Sequence, residues 1–257
     1  VGNYTLDALA SADYSVAVGY EAGSAITTGG NNTLMGYQAG KHITTGTNNT
    51  GVGIQALYNF DTEGNNTAFG QSALGGTIAG GEYNVAVGNL SLSALTSGDQ
   101  ATAIGYGAGG ANTTGSGTFL GYLAGAGQTT GVNTIAIGNN ACGTGTLVGS
   151  NNTVIGGNAL ENGANANDNT GLGYNVLNAV TTGGRNIGIG RQAADGFDTE
   201  SDNLAIGYDA LGGAVAGGEN NVAIGNYALD ALTSADSVTA IGYEAGSDYT
   251  TGDSGAG

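Results

Sequence analysis

Few side chains in this sequence are equipped for chemistry. The 257 residues include one Cys, one His and no Trp or Pro. Nucleophilic catalysis needs a nucleophile and a base within hydrogen-bond reach, and His42 sits in a Thr-rich turn signal with no triad partner. A zinc site needs several Cys, His or carboxylate ligands at fixed spacing, and that set is missing. Cys142 follows Gly138 by four positions, where equivalent segments carry Leu or Gly, so it is expected to be a small core residue. Gly105 to Gly110 matches the dinucleotide pattern Gly-x-Gly-x-x-Gly, but that pattern requires a following helix, and glycine-rich repeats generate it by chance. Asp198, Glu200 and Asp202 are spaced like a calcium loop, yet the position that should be Gly is Asn203. They are retained as calcium candidates beside the plainer reading of solvated turn acids. No catalytic residue and no other cofactor is expected, so the chain reads as a non-enzyme.

The charge balance narrows the partners. Three basic residues (Lys41, Arg185, Arg191) face 20 acidic ones, a net charge of −17. Three cations cannot form the basic face that nucleic acids or anionic membrane surfaces require. Collagen is excluded by the missing Pro. A disordered acidic tail is excluded because 40% of the residues are apolar and the acids are scattered. No apolar run approaches the ~18 residues of a transmembrane helix.

What positions these residues is a repeat. A phrase close to Asn-Thr-Ala-Ile-Gly recurs, closing on Gly2, Gly19, Gly36, Gly53, Gly70, Gly88, Gly105, Gly121, Gly138, Gly156, Gly173, Gly190, Gly207, Gly225 and Gly242. The interval stays close to ~17 residues throughout, and such a fixed period marks a repeat architecture. The residue before the glycine is large and apolar, as at Val18, Val52, Ile104, Ile137, Ile189, Ile206 and Ile241. Asn is common four positions before it, and Ala three after it. Apolar positions alternate with period two and are rich in β-branched residues, which is strand patterning. Gly, Asn, Thr and Asp between them are turn formers. Short strands of about five residues at a fixed period predict an all-β parallel β-solenoid, one coil per repeat and about 15 coils, each adding ~4.8 Å. The absent Pro fits, since each backbone N–H is needed by a neighbouring coil. The Asn column predicts a coil-to-coil ladder of side-chain amides.

The repeat fills residues 1–257, predicting a single solenoid domain. A longer rhythm lies above the short one: Ala73-Leu74-Gly75-Gly76 returns as Ala210-Leu211-Gly212-Gly213. The first and last coils are of the same type, and we read the chain as a segment of a longer repetitive protein.

Two positions before the glycine the side chain is small: Ala17, Ala68, Ala86, Ala103, Ala136, Ala205, Ala223 and Ala240. Neighbouring strand residues point to opposite faces. With the Ile/Val column as core, the Ala column faces outward, and an apolar stripe there marks a subunit interface. The alternative is a flattened coil in which both columns meet a second layer of the same chain. Tyr follows the glycine at Tyr20, Tyr37, Tyr106, Tyr122, Tyr174, Tyr208 and Tyr243, a packing ladder or a surface for sugars.

Ser15-Val16-Ala17-Val18-Gly19, Asn84-Val85-Ala86-Val87-Gly88 and Asn221-Val222-Ala223-Ile224-Gly225 resemble the head repeats of YadA-like trimeric autotransporter adhesins. Similar repeats occur in phage tail fibres and large bacterial surface proteins. The resemblance implies a left-handed parallel β-roll, a homotrimer about one axis, and adhesion at the cell surface. The expected function is a structural or adhesive segment of an extracellular fibre, alternatively a phage tail fibre shaft. A polysaccharide-processing enzyme ranks last, because the short intervals leave no room for cleft-forming insertions. The expected partners are further copies, as a homotrimer or an end-to-end filament, and a host surface or glycan receptor.

Overall fold

The computed structural model describes residues 1–11, 14–76, 80–213 and 218–251. The chain divides into two compact units, Val1–Thr130 and Gly131–Gly257. The first holds seven strands: β1 (Val16–Val18), β2 (Thr33–Met35), β3 (Thr50–Val52), β4 (Thr67–Phe69), β5 (Val85–Val87), β6 (Thr102–Ile104) and β7 (Gly117–Leu120). The second holds β8 (Thr134–Ile137), β9 (Thr153–Ile155), β10 (Thr170–Leu172), β11 (Ile187–Ile189), β12 (Leu204–Ile206), β13 (Val222–Ile224) and β14 (Thr239–Ile241). Within each unit every strand pairs in parallel with the next in sequence, as in Thr33↔Thr50 and Thr170↔Ile187. Among the described residues there is no helix. Each unit is therefore a parallel β-solenoid, with one coil for every ~17 residues of sequence. Most strands are very short, because the chain turns immediately after the closing glycine.

Two bonds recur at each coil step. The closing glycine donates its N–H to the preceding coil, as from Gly36 to Val18 O and from Gly53 to Met35 O, both 2.8 Å. The first strand residue donates to the following coil, as from Thr33 to Asn49 O and Thr50 to Asn66 O, both 2.8 Å. The glycine is obligatory here. Gly36 has φ 142°, and a Cβ on it would collide with the carbonyl of Gly53 stacked beside it.

After the glycine the backbone alternates in handedness. The second residue on is left-handed at Glu21, Gln38 and Gln55, and the fourth at Leu57, Leu74, Leu160 and Leu177. The fifth residue before the glycine is left-handed too, as at Asn48, Asp168 and Arg185. Positive φ at non-glycine residues thus recurs in every part of the described chain, a conformation costing ~1–2 kcal/mol each outside Gly, Asn and Asp.

The core corrects the sequence-based assignment of inside and outside. Ala17, Ala68, Ala86, Ala103, Ala136, Ala205, Ala223 and Ala240, expected on the surface, are all buried. Val18, Ile104, Ile189 and Ile241, expected in the core, are exposed, and Val52, Ile137 and Ile206 are half-buried. Ala103 is 0% exposed and Ile104 beside it 40%. The reason is volume. The interior is already filled by the Ala three positions after most closing glycines, in many coils by Leu at the fourth (Leu57, Leu74, Leu160, Leu211), and by Ile, Phe or Leu at the seventh (Ile26, Ile43, Phe60, Leu95, Phe197), the named residues all being fully buried. A small strand centre is what remains compatible with close packing.

Candidate interaction surface

The strand faces that point away from the core carry two columns. The inner residue of each strand is flanked by a Thr, Val, Ile or Leu on one side and a large apolar residue on the other. In the first unit Val16, Met35, Phe69 and Leu120 are exposed; in the second Ile135, Ile155, Leu172 and Ile187 are. Among the described residues no strand contains an acidic or basic side chain. This is unusual placement for a chain of net charge −17, and exposed contiguous apolar surface of this kind marks association sites.

In each unit tyrosines stand just after closing glycines, next to the strand ends. Tyr20 and Tyr37 stack with centroids 5.5 Å apart and planes 10° apart, and Tyr106 and Tyr122 stack at 5.5 Å and 14°. In the second unit the guanidinium of Arg191 lies 5.9 Å from the Tyr174 ring and 5.7 Å from the Tyr208 ring, a cation–π arrangement. Two pairs of the column thus stack, and Arg191 contacts both Tyr174 and Tyr208.

The Asn column is also a ladder, although its acceptors and donors differ from the amide-to-amide pattern expected. Asn32 Oδ1 accepts the backbone N–H of Asn49 at 2.9 Å, and Asn49 Oδ1 that of Asn66 at 3.1 Å. In the second unit Asn152 and Asn186 each accept the next such N–H at 3.0 Å, and Asn169 does so at 2.9 Å. Each Nδ2 donates to a turn carbonyl, as Asn49 does to Glu63 O at 2.8 Å and Asn186 to Glu200 O at 2.7 Å. Side-chain amides bond to one another only as a second contact, for example Asn169 Nδ2 to Asn152 Oδ1 at 3.2 Å.

Ion pairs link neighbouring coils in each unit. Lys41 Nζ lies 2.8 Å from Glu21 Oε2. The Lys41 ammonium holds the Glu21 carboxyl below its usual value, and Glu21 raises that of Lys41. Arg185 meets Asp202 through Nε and Nη2, both at 2.6 Å, so the Asp202 carboxyl is lowered and the guanidinium raised. Burial raises the carboxyl of Asp195, and burial followed by the charge of Asp230 raises that of Asp209.

The three calcium candidates are not brought together. Glu200 turns inward to accept the backbone N–H of Asp198 at 2.7 Å and of Thr199 at 2.9 Å. Asp202 faces Arg185, and Asp198 accepts the Thr181 hydroxyl. Among the described residues no group of three or more His, Cys, Asp or Glu is arranged to hold a metal ion. His42 is exposed and meets Tyr58 edge-on at 4.9 Å. Cys142 is buried, as its place in the repeat implied, and desolvation pushes its thiol up to about 12. The glycines from 105 to 110 form an ordinary coil turn with no helix after it.

Sequence reasoning missed the Leu and Ile/Phe columns four and seven positions after the glycine, which are the true core. The signal was present as a recurrent Ala-Leu pair (Ala56-Leu57, Ala73-Leu74, Ala159-Leu160, Ala210-Leu211). No family model, curated protein or solved structure matches this chain.

Proposed function

We propose that this chain is a structural segment of an extracellular fibre at a bacterial surface. Its coil stacks associate with further copies of the chain, as a homotrimer, to space or present an adhesive region. The observation that carries this reading is the outer strand face: large apolar side chains, no charge, in an otherwise strongly acidic protein. Water-exposed Ile, Leu, Met and Phe in register lose their contact with water when a second such face covers them, at ~25 cal/mol per Å². Strong like charge elsewhere would oppose association, so a charge-free face is where copies can meet. The likeness to YadA-like head repeats supports three copies and an adhesive role. The contact column in this proposal is the Ile/Val/Leu column with its Thr partners.

Light scattering on the purified chain tests it. A mass near three times 24.8 kDa is expected, and Ile104→Glu with Ile189→Glu should return it to a single copy without loss of the β-sheet circular dichroism. A wild-type mass of one copy overturns the proposal.

A further inference from the structure

The stacked tyrosines are placed for a covalent reaction. Tyr20 and Tyr37 stand on consecutive coils, each at the position just after a closing glycine, and so do Tyr106 and Tyr122. Parallel register repeats the backbone of one coil on the next at ~4.8 Å, so each ring lies over its neighbour in nearly the same orientation. The interplanar angles of 10° and 14° show this. All four rings are open to solvent, between 41% and 52% exposed. Other tyrosine pairs meet edge-on: Tyr4 with Tyr20 at 87°, Tyr208 with Tyr227 at 84°, and Tyr227 with Tyr243 at 88°.

We propose that Tyr20–Tyr37 and Tyr106–Tyr122 are dityrosine cross-linking sites that bond adjacent coils under a peroxide oxidant and a haem peroxidase. Each phenol loses one electron and one proton to give a tyrosyl radical. The radicals join through the ring carbons ortho to oxygen, forming one C–C bond. The hydrogen on each joined carbon then moves to oxygen, restoring two phenols. One hydrogen peroxide takes up the two electrons and two protons and leaves as two waters, so the product is two hydrogens lighter. Coupling needs the two ortho carbons to approach one another. Stacked rings present ortho carbon to ortho carbon, whereas an edge-on pair presents a ring edge to a ring face. The chain's lone Cys142 is buried and has no second Cys with which to bridge coils by an intrachain disulfide.

The test treats the folded full chain with hydrogen peroxide and horseradish peroxidase, using a mixture of ¹⁵N-labelled and unlabelled protein. Peptide mass spectrometry is expected to find Tyr20 joined to Tyr37 and Tyr106 to Tyr122, each product two hydrogens light and of a single isotope type. Tyr37→Phe and Tyr122→Phe should each remove one product, and together most of the dityrosine fluorescence. Phe keeps the stacked ring, so folding is not at issue and circular dichroism checks it. The proposal is overturned if no link forms, if links form chiefly at edge-on pairs or at the exposed Tyr14 and Tyr83, or if they join labelled to unlabelled chains. Labelled and unlabelled chains are denatured together and refolded before oxidation, so that any assembly of copies holds both isotopes and a link between copies is read as mixed.

Discussion

At Asn66 every polar atom of the side chain is committed within the protein. Oδ1 accepts from the Asn84 backbone N–H at 2.9 Å, and Nδ2 donates to Gly64 O at 2.8 Å and Gly81 O at 3.0 Å. The residue is fully buried, so water cannot replace a lost partner. Asn66→Ala is expected to cost ~1–3 kcal/mol, read as a lower urea midpoint with an unchanged slope. Asn66→Asp keeps the acceptor, loses the donor and buries a charge, so its midpoint should fall at least as far. The sequence showed that this column was a ladder, because Asn recurs in one place in successive coils. It did not show that the acceptor serves a backbone N–H, since the repeat period aligns residues without fixing which of their atoms meet.

For the strand, alternation told that two faces exist and left open which one is inside. The general preference for large apolar residues in cores pointed to the Ile/Val column, and it failed because the rest of the coil supplies that bulk. Exceptions to the columns held the answer. Leu34 replaces the usual small strand centre where Gly40 and Gly51 stand beside it; a Cβ at Gly51 would come 3.1 Å from Leu34. Phe119 does the same against Gly109 and Gly125, and Val176 fills the space left by Gly171 and Gly188. Such volume exchange happens only among residues that share an interior. It follows that Ala103→Leu should overpack a coil and destabilise by ~1–3 kcal/mol, while Ile104→Thr on the outer face should shift stability by no more than ~0.5 kcal/mol. Thermal unfolding at a concentration where the chain is a single copy checks both.

At the scale of the whole molecule, the acidic balance makes stability depend on pH. Asp195 and Asp209 have carboxyls raised by burial. A raised carboxyl binds its proton more tightly when folded, so stability falls as pH climbs from ~4 through the folded value. Asp195→Asn with Asp209→Asn should therefore raise the melting temperature at neutral pH and flatten its decline as pH rises above the ordinary Asp value of ~4. Glu21 and Asp202 act in the opposite sense, losing their contribution as pH falls through their lowered values, but both lie in water and their ion pairs count for little. The left-handed residues have a different consequence. Leu57, Leu74, Leu160 and Leu177 hold a conformation that an isolated segment would avoid, and what holds them there is the bonding and packing of the coils on either side. A single coil is thus unstable alone, and a finished coil is the template for the next. Folding of each unit becomes propagation from a seed, in which the slow event is the first pair of coils and every later turn is laid down on a surface that already dictates its shape.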